Sequence, residues 1–497
     1  MGRAKRRPVE QTITTGSDFL QLDIGAAPRG GRTGWLAERL RAAIADGTLP
    51  VGSRLPPSRV LAAELRVSRS VVTDAYRRLT EDGHVAGRGR AGTVVVAAPV
   101  RPRPPAPGNA PTPPAEVFPA EPGEDVFDTL RTAPARIDLS PGVPDLAAFP
   151  RSAWLRAERT VLGRLAPADF GYGDPRGTPA LRRALATWLA RNRGISVEPG
   201  EVVVVAGVAQ ALGLLAQVLR ADGISTVGVE DPGSLGARRH LANWGLATPP
   251  VTVDGGGVQV DELAGLPAVM LTPAHQFPTG VVLDGGRRRG LMRWAEAGGL
   301  IVEDDYDAEH RYDRPPVPAL RSMLAEHVCY AGSVSKLLAP ALRIGWLLVP
   351  RRYRAAVVAA KRDADLGNAA LPQLVLAELM DSGELERQLR LLRRRHIRRR
   401  DAMIRAIGAH LPGATVHGAA AGLHLMVTLA AGVDDVGLAA AALAQGVKVQ
   451  PLSWHRQRPG VPGLVLGYAA SAAGDIEQGI ATLGPLVRRG LPAPTAG

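Results

Sequence analysis

Ten prolines between Pro99 and Pro122 constrain this chain more than any other feature. They are mixed with Ala, Gly and Asn and almost no large apolar residues. Such a stretch cannot build a core and reads as a semi-rigid, polyproline-like spacer. It divides the 497 residues into a short N-terminal part and a long C-terminal part that fold separately. Hydrophobic residues make up 45% of the chain, enough to bury at least one large core. The expected divisions are an arm over residues 1–31, a small helical domain over 32–97, a linker over 98–136 and a large domain over 137–497. Within the large domain, a smaller subdomain is expected from about residue 401.

Charge follows the same division. The formal net charge is +13, and residues 1–107 hold 18 Lys and Arg against 9 Asp and Glu. A net of +9 therefore sits in the first fifth of the chain, which makes that part the candidate for binding a polyanion. A second basic run from Arg387 to Arg400 has helical spacing and reads as a solvated helix face. The single cysteine, Cys329, rules out an intrachain disulfide. No apolar run reaches the roughly 18 residues of a membrane span, and no apolar core follows the basic start. The expectation is a cytoplasmic protein with no membrane partner.

Three helical patterns precede the spacer: Leu36, Leu40, Ala43 and Ile44; then Val60, Leu61 and Leu65; then Val72, Ala75, Tyr76 and Leu79. Gly83, Gly87, Gly89 and Gly92 punctuate a hairpin that ends in Thr93 to Val96. In a helix-turn-helix, the first helix braces on the DNA backbone and the second offers its N-terminal side chains to the major groove. Ser58 and Arg59 open the bracing helix, and Ser68, Arg69 and Ser70 the recognition helix. Arginine reads guanine edges or clamps phosphates, while serine hydroxyls and helix-start N–H groups suit phosphate oxygens. Arg88 and Arg90 sit beside glycines at the tip of the hairpin.

After the spacer, β-runs at Val202–Val205, Thr226–Val229, Ala268–Leu271, Leu300–Val302, Val328–Ala331 and Ile344–Val349 alternate with helical patterns. Such alternation predicts an α/β domain with a mostly parallel, helix-covered sheet. A long helical region from about Pro350 to His410 and a smaller α/β segment from Thr415 should follow.

The chain has four lysines, Lys5, Lys336, Lys361 and Lys448, against 56 arginines. A lysine kept in a patterned motif therefore needs a reason, and an amine can form a Schiff base where a guanidinium cannot. Lys336 follows a β-run, with Ser333, Ser335 and Arg343 supplying donors suited to a phosphate. The acidic run Glu303 to Asp307 closes another β-run. Alone it could hold magnesium. About thirty residues before such a lysine, it better suits the pyridine nitrogen of a pyridoxal cofactor, whose protonation a carboxylate maintains.

Gly47 to Leu79, containing Ser-Arg-Leu-Pro-Pro-Ser-Arg59 and Val-Ser-Arg-Ser70, resembles the winged helix of GntR-type regulators. The blocks Tyr172 to Gly177, Thr272 to Gly280, Glu303 to Asp307 and Ser333 to Arg343 resemble the MocR family, GntR-headed regulators with a domain like the fold-type I aminotransferases. That resemblance implies a regulator that binds double-stranded DNA at paired half-sites, forms a homodimer and binds pyridoxal 5'-phosphate (PLP). DNA contacts would come from Arg59, Ser68, Arg69, Ser70, Gly92 and, more weakly, Arg54. Lys336 would be the Schiff-base lysine, Asp304 the partner of the pyridine nitrogen and Tyr306 the donor to the ring oxygen. Ser333, Ser335, Arg343 and the helix start at Val208 and Ala209 would hold the phosphate. Tyr172 would reach the neighbouring subunit's phosphate, and His275 and Gln276 would line the pocket.

Two departures from the family pattern bear on function. Ser234 stands where relatives often place an aromatic, leaving Trp244 or His240 as substitutes. Val465 stands where many aminotransferases carry the arginine that clamps a substrate carboxylate. The second favours a regulator, without enzymatic turnover, that senses PLP itself and controls vitamin B6 synthesis, as the PdxR members do. An amino-acid-responsive regulator, or a DNA-binding protein with residual aminotransferase activity, remains the alternative.

Overall fold

The computed structural model describes residues 22–28, 30–89, 92–96, 113–312 and 317–490. They form two units divided near Ala110. Among them, no helix is long and apolar enough to cross a membrane.

In the first unit, α1 (Arg32–Ala45), α2 (Ser58–Glu64) and α3 (Arg69–Glu81) precede a hairpin of β1 (Val85–Gly87) and β2 (Thr93–Val95). Leu36, Leu40 and Ile44 of α1 meet Leu61 of α2, Val72, Ala75 and Leu79 of α3, and Val85 and Val95 of the hairpin in one core. Tyr76 anchors α3 to the loop before α2 through its hydroxyl, which donates to the Pro56 carbonyl at 2.7 Å. Arg90, most of the arm and linker residues 98–112 lie outside the described residues.

The second unit begins earlier than the spacer reading allows. Residues 114–132 were expected to continue the linker, but they form α4 (Pro114–Val117) and α5 (Val126–Thr132). Val117, Phe118, Val126 and Leu130 are buried in the core of the C-terminal subdomain, and Phe118 stacks on Trp454 at 5.3 Å. A few large apolar residues, well spaced, are enough to dock a proline-rich segment onto a core formed elsewhere.

The chain continues through β3 (Ile137–Asp138), α6 (Arg151–Leu162), α7 (Pro179–Arg193), β4 (Val203–Val205), α8 (Val208–Ala221), β5 (Gly228–Asp231), α9 (Leu235–Asn243), β6 (Pro250–Asp254), β7 (Gly257–Val258), β8 (Ala268–Leu271), α10 (Gly285–Glu296), β9 (Leu300–Asp305), β10 (Val328–Ser333) and β11 (Gly345–Leu348). Eight strands make one sheet in the order β4-β11-β10-β9-β8-β5-β6-β7. The run β10-β9-β8-β5-β6 is parallel, whereas β11 is antiparallel to both its neighbours. Apolar clusters cover both faces of this sheet, which explains why its strands read as continuous apolar runs.

Helices α11 (Arg351–Asp365), α12 (Ala370–Asp381) and α13 (Glu384–His410) then lead to β12 (Thr415–His417), β13 (His424–Thr428), α14 (Asp435–Ala444), β14 (Val447–Lys448), β15 (Gln450–Pro451), β16 (Gly463–Gly467) and α15 (Ala473–Gly490). A four-stranded sheet of order β12-β13-β16-β15 carries this subdomain, and β14 pairs in parallel with β3. The smaller subdomain, expected from residue 401 alone, is thus built from both ends of the unit. The basic run on α13 is only partly a solvated face: Arg395 and Arg399 turn inward onto buried Asp145 at 2.6 and 2.7 Å.

Candidate functional site

Parallel strands end together, and the loops after them gather at one edge of the sheet. Here that edge and the start of the second unit enclose a cavity of about 690 Å³. Lys336, Asp304, Tyr306, Ser333, Ser335, Arg343 and Val208 all line it.

Strand alternation decides which acid of the run faces the cavity. Glu303 turns to the opposite face and accepts from the backbone N–H groups of Leu320 and Arg321 at 2.9 and 3.0 Å. Asp305 binds Arg193 at 2.5 Å and Tyr330 at 2.5 Å. Asp304 lies between them on the cavity side, and its buried Oδ1 has no hydrogen-bond partner among the described residues. Burial first, then the charges of Asp305 and Asp307, push its carboxyl up to about 7, with Lys336 opposing them. A buried acceptor of this kind fits a protonated ring nitrogen.

Lys336 donates through Nζ to the Gly142 carbonyl. Burial lowers its ammonium below the ordinary range, against the pull of Asp307 and Asp304, which favours the neutral amine that attacks an aldehyde. Gly142 has φ of +78°, and a Cβ there would lie 3.1 Å from Nζ. Glycine thus leaves the amine its space.

At the end of the cavity near Arg343, Gly207 caps α8 with φ of +82°, and a Cβ on it would lie 3.4 Å from Arg343 Nη1. A helix start leaves backbone N–H groups free to receive an anion, and Val208 and Ala209 are the first two residues of α8. The preceding turn is braced from behind: Gln210 Oε1 accepts from Ala206 N at 2.7 Å, Gln210 Nε2 donates to Asp365 at 2.8 Å, and buried Lys361 donates to Asp365 at 2.5 and 2.6 Å. Donor set, orphaned acceptor and glycine-made spaces together fit PLP.

His275 and Gln276 do not line the cavity, contrary to expectation. His275 backs Tyr306: its Nδ1 lies 3.0 Å from the tyrosine hydroxyl and 2.9 Å from Asp307 Oδ2. His275, Asp307 and His424 are all buried, with ligand-type atoms within 4.8 Å of one another, but His424 Nε2 donates to the Pro278 carbonyl. Gln276 is spent on the loop, donating to the carbonyls of Pro232 and Phe277 and accepting from Thr279.

Trp244 and His240 are not substitutes for the missing aromatic, because neither lines the cavity; Trp244 packs on Gly213 of α8. Ser234 does line it and caps α9 by accepting from Ala237 N at 3.2 Å. Besides Tyr306 and two histidines, the aromatic rings of the lining are Phe127 of α5 and Phe277, and Phe127 approaches Gly236 beside Ser234. Sequence reasoning missed Phe127 because it sits in the segment read as linker. Val465 is buried against Met426, Leu452 and Phe277 and stays out of the cavity. Tyr172 is 95% exposed and touches no part of this site within its own chain.

In the first unit, Ser68 is the residue before α3, and its hydroxyl lies 2.7 Å from that of Ser70. Arg69 is exposed beside Ser58, with Nε donating to the serine hydroxyl at 3.4 Å, and Arg59 is exposed on α2. Arg54 is half-buried and bridges to Val94 of the hairpin, while Gly92 holds the tip, accepting from Arg88 N at 2.8 Å.

A helix-turn-helix head followed by a fold-type I aminotransferase domain defines the class: a DNA-binding regulator with a cofactor-binding type of domain. Residues 34–95 match the family "Bacterial regulatory proteins, gntR family", and residues 135–463 match "Aminotransferase class I and II". The chain belongs to the MocR-type regulators, which join these two domains. It is 33% identical over 460 residues to the probable rhizopine catabolism regulatory protein MocR of Rhizobium meliloti, covering 90% of this chain and 92% of that one. It is 32% identical over 440 residues to the pyridoxine biosynthesis transcriptional regulator PdxR of Corynebacterium glutamicum, covering 88% and 91%. A crystal structure of Pyrococcus horikoshii kynurenine aminotransferase superposes with a TM-score of 0.68 at 26% identity, over 74% of this chain and 94% of that one.

Proposed function

We propose that PLP binds at Lys336 and is itself the signal that changes operator binding, so that the protein controls genes of PLP synthesis in the cytoplasm. The observation that carries this is the pairing of an intact cofactor site with Val465. Lys336, Asp304, Tyr306 and the phosphate cradle line the cavity, while valine at 465 offers no guanidinium to orient a substrate carboxylate for repeated amino-group transfer. The likeness to PdxR, named for control of pyridoxine biosynthesis, supports the same reading.

When bound, PLP supplies an aldehyde and an electron-withdrawing ring. Lys336 holds the aldehyde carbon, Asp304 keeps the ring nitrogen protonated, Tyr306 donates to the ring oxygen, and Ser333, Ser335, Arg343 and the start of α8 hold the phosphate. The assembly is a homodimer in which the exposed Tyr172 reaches the partner's phosphate site. DNA contact falls to Arg59, Ser68, Arg69, Ser70, Gly92 and, less strongly, Arg54. A ligand shifts such a regulator only through different affinities for its DNA-binding arrangements, and dimer geometry sets how two heads reach paired half-sites.

The test is to recover, from fragmented genomic DNA of the source organism, the pieces retained by the full-length protein. Fragments lying upstream of genes for PLP synthesis are expected; retention confined to promoters of amino-acid catabolism would overturn the assignment.

A further inference from the structure

The positive charge of the second unit is concentrated on one helix. Residues 108–497 have a net charge of +4, whereas α13 alone holds nine arginines against Glu384, Glu386 and Asp401, a net of +6. Without α13 the unit is slightly acidic.

Five of these arginines are committed within the fold. Arg395 and Arg399 bind Asp145, Arg400 binds Asp401 at 2.7 Å, Arg387 binds Glu384 at 2.6 Å, and Arg393 donates to the Tyr312 carbonyl at 2.9 Å. The other four, Arg390, Arg394, Arg398 and Arg405, are exposed and have no hydrogen-bond or ion-pair partner among the described residues. Steps of four, four and seven residues set them within about 80° of one helix face, along about 22 Å of its length. Asp401 is the one acid of α13 beyond Glu386, and Arg400 already holds it.

Like charges four residues apart on a helix repel and weaken it slightly, unless an anion lies across them. What the face lacks decides which anion. Leu391 is the one exposed large apolar residue of α13, so the face suits neither an apolar groove nor insertion into lipid. A two-fold contact with a second copy would set arginine against arginine. Duplex DNA carries one negative charge per roughly 1.7 Å of its axis, so a ridge of this length meets phosphates all along it. The segment that follows the DNA-binding unit docks at Val117 and Phe118, in the same apolar core as Met403, Ala406 and Ile407 of α13. A duplex held by the head is thereby tethered to the subdomain that α13 packs on, which raises its effective concentration there.

We propose that Arg390, Arg394, Arg398 and Arg405 bind the phosphate backbone of the duplex that the helix-turn-helix holds, as a second DNA contact carried by the aminotransferase-type domain. The head reads base edges, and the α13 ridge adds affinity that is independent of base sequence. The inference rests on the DNA-binding head and not on PLP, so it is tested separately from the cofactor reading.

The experiment is anisotropy titration of a labelled, mixed-sequence duplex of about 60 base pairs with the full-length protein, between about 50 and 200 mM salt. Changing all four arginines to glutamine should weaken binding at least tenfold. It should also flatten the plot of log affinity against log salt by at least about 2, since each phosphate contact contributes about 0.9. Changing all four to lysine should keep affinity within about threefold, because lysine also binds phosphate as a point charge. A control removes the same charge elsewhere on the unit, through Arg159→Gln, Arg183→Gln, Arg191→Gln and Arg351→Gln, all exposed, and should cost less than about threefold. Thermal unfolding of each variant should match the wild type, since none of the replaced side chains is buried. Unchanged affinity and slope in the ridge variant, an equal loss in the control, or a lysine variant as weak as the glutamine one would overturn the proposal. Unchanged DNA binding with lost binding to phosphatidylglycerol vesicles would also overturn it, by assigning the face to a lipid surface.

Discussion

Lys336 and Gly142 are fitted to each other: the amine donates to the glycine's carbonyl, and a Cβ on the same glycine would stand 3.1 Å from that amine. Gly142→Ala should therefore act twice. It strains a backbone at φ of +78°, costing about 1 kcal/mol, and it crowds Nζ. Thermal unfolding should show the modest loss of stability, and PLP titration followed by absorbance should show a larger loss of affinity. Equal affinity with unchanged stability would mean that the close approach is unimportant.

Asp304 gives the site a pH signature. Its folded carboxyl titrates near 7, above the ordinary value of 3.8, so between those values the folded state holds more protons than the unfolded state. Stability of the cofactor-free protein should fall as pH rises through that window, by up to about 1.4 kcal/mol per unit from this group. Asp304→Asn should flatten the part of the profile between pH 5 and 7 and weaken PLP binding. A profile identical to that of the wild type would refute the burial of this charge.

Phe118 tests whether residues 114–132 are structural. It is buried and stacked on Trp454, so Phe118→Ala should lower stability by about 3–5 kcal/mol, which a flexible spacer would not. Denaturant unfolding of the two proteins reads this directly.

For DNA, Arg69→Ala should weaken the specific site by about 1–3 kcal/mol where Arg69 reads a base edge, with little change on unrelated DNA. Arg54→Ala should cost less, because Arg54 is half-buried against the hairpin. Equal losses on specific and unrelated DNA would recast Arg69 as a phosphate contact.

Much of this site was readable along the chain because its chemistry is local. Lys336 follows a strand with its serines and arginine close by, and Asp304 closes another strand in the same parallel sheet. Residues brought together from afar were not readable. Phe127 reaches the cavity only because Val117, Phe118 and Leu130 dock the proline-rich segment on a core that forms hundreds of residues later. Lys448, on β14 beside β3, also lines the cavity, and the scarcity of lysine that singled out Lys336 applies equally to Lys361 and Lys448. Trp244 and His240 are near Ser234 in the chain, but only the start of α9 faces the cavity and both lie toward its far end.

The central claim is that cofactor occupancy of the Lys336 site governs operator binding. The most direct test is titration of PLP into cofactor-free, full-length protein with no amino acid present, following absorbance and operator affinity together. Both should change over the same concentration range, and both changes should vanish in Lys336→Ala. Saturation of the absorbance change with no change in operator affinity or footprint, or an undiminished operator response in Lys336→Ala, would contradict it.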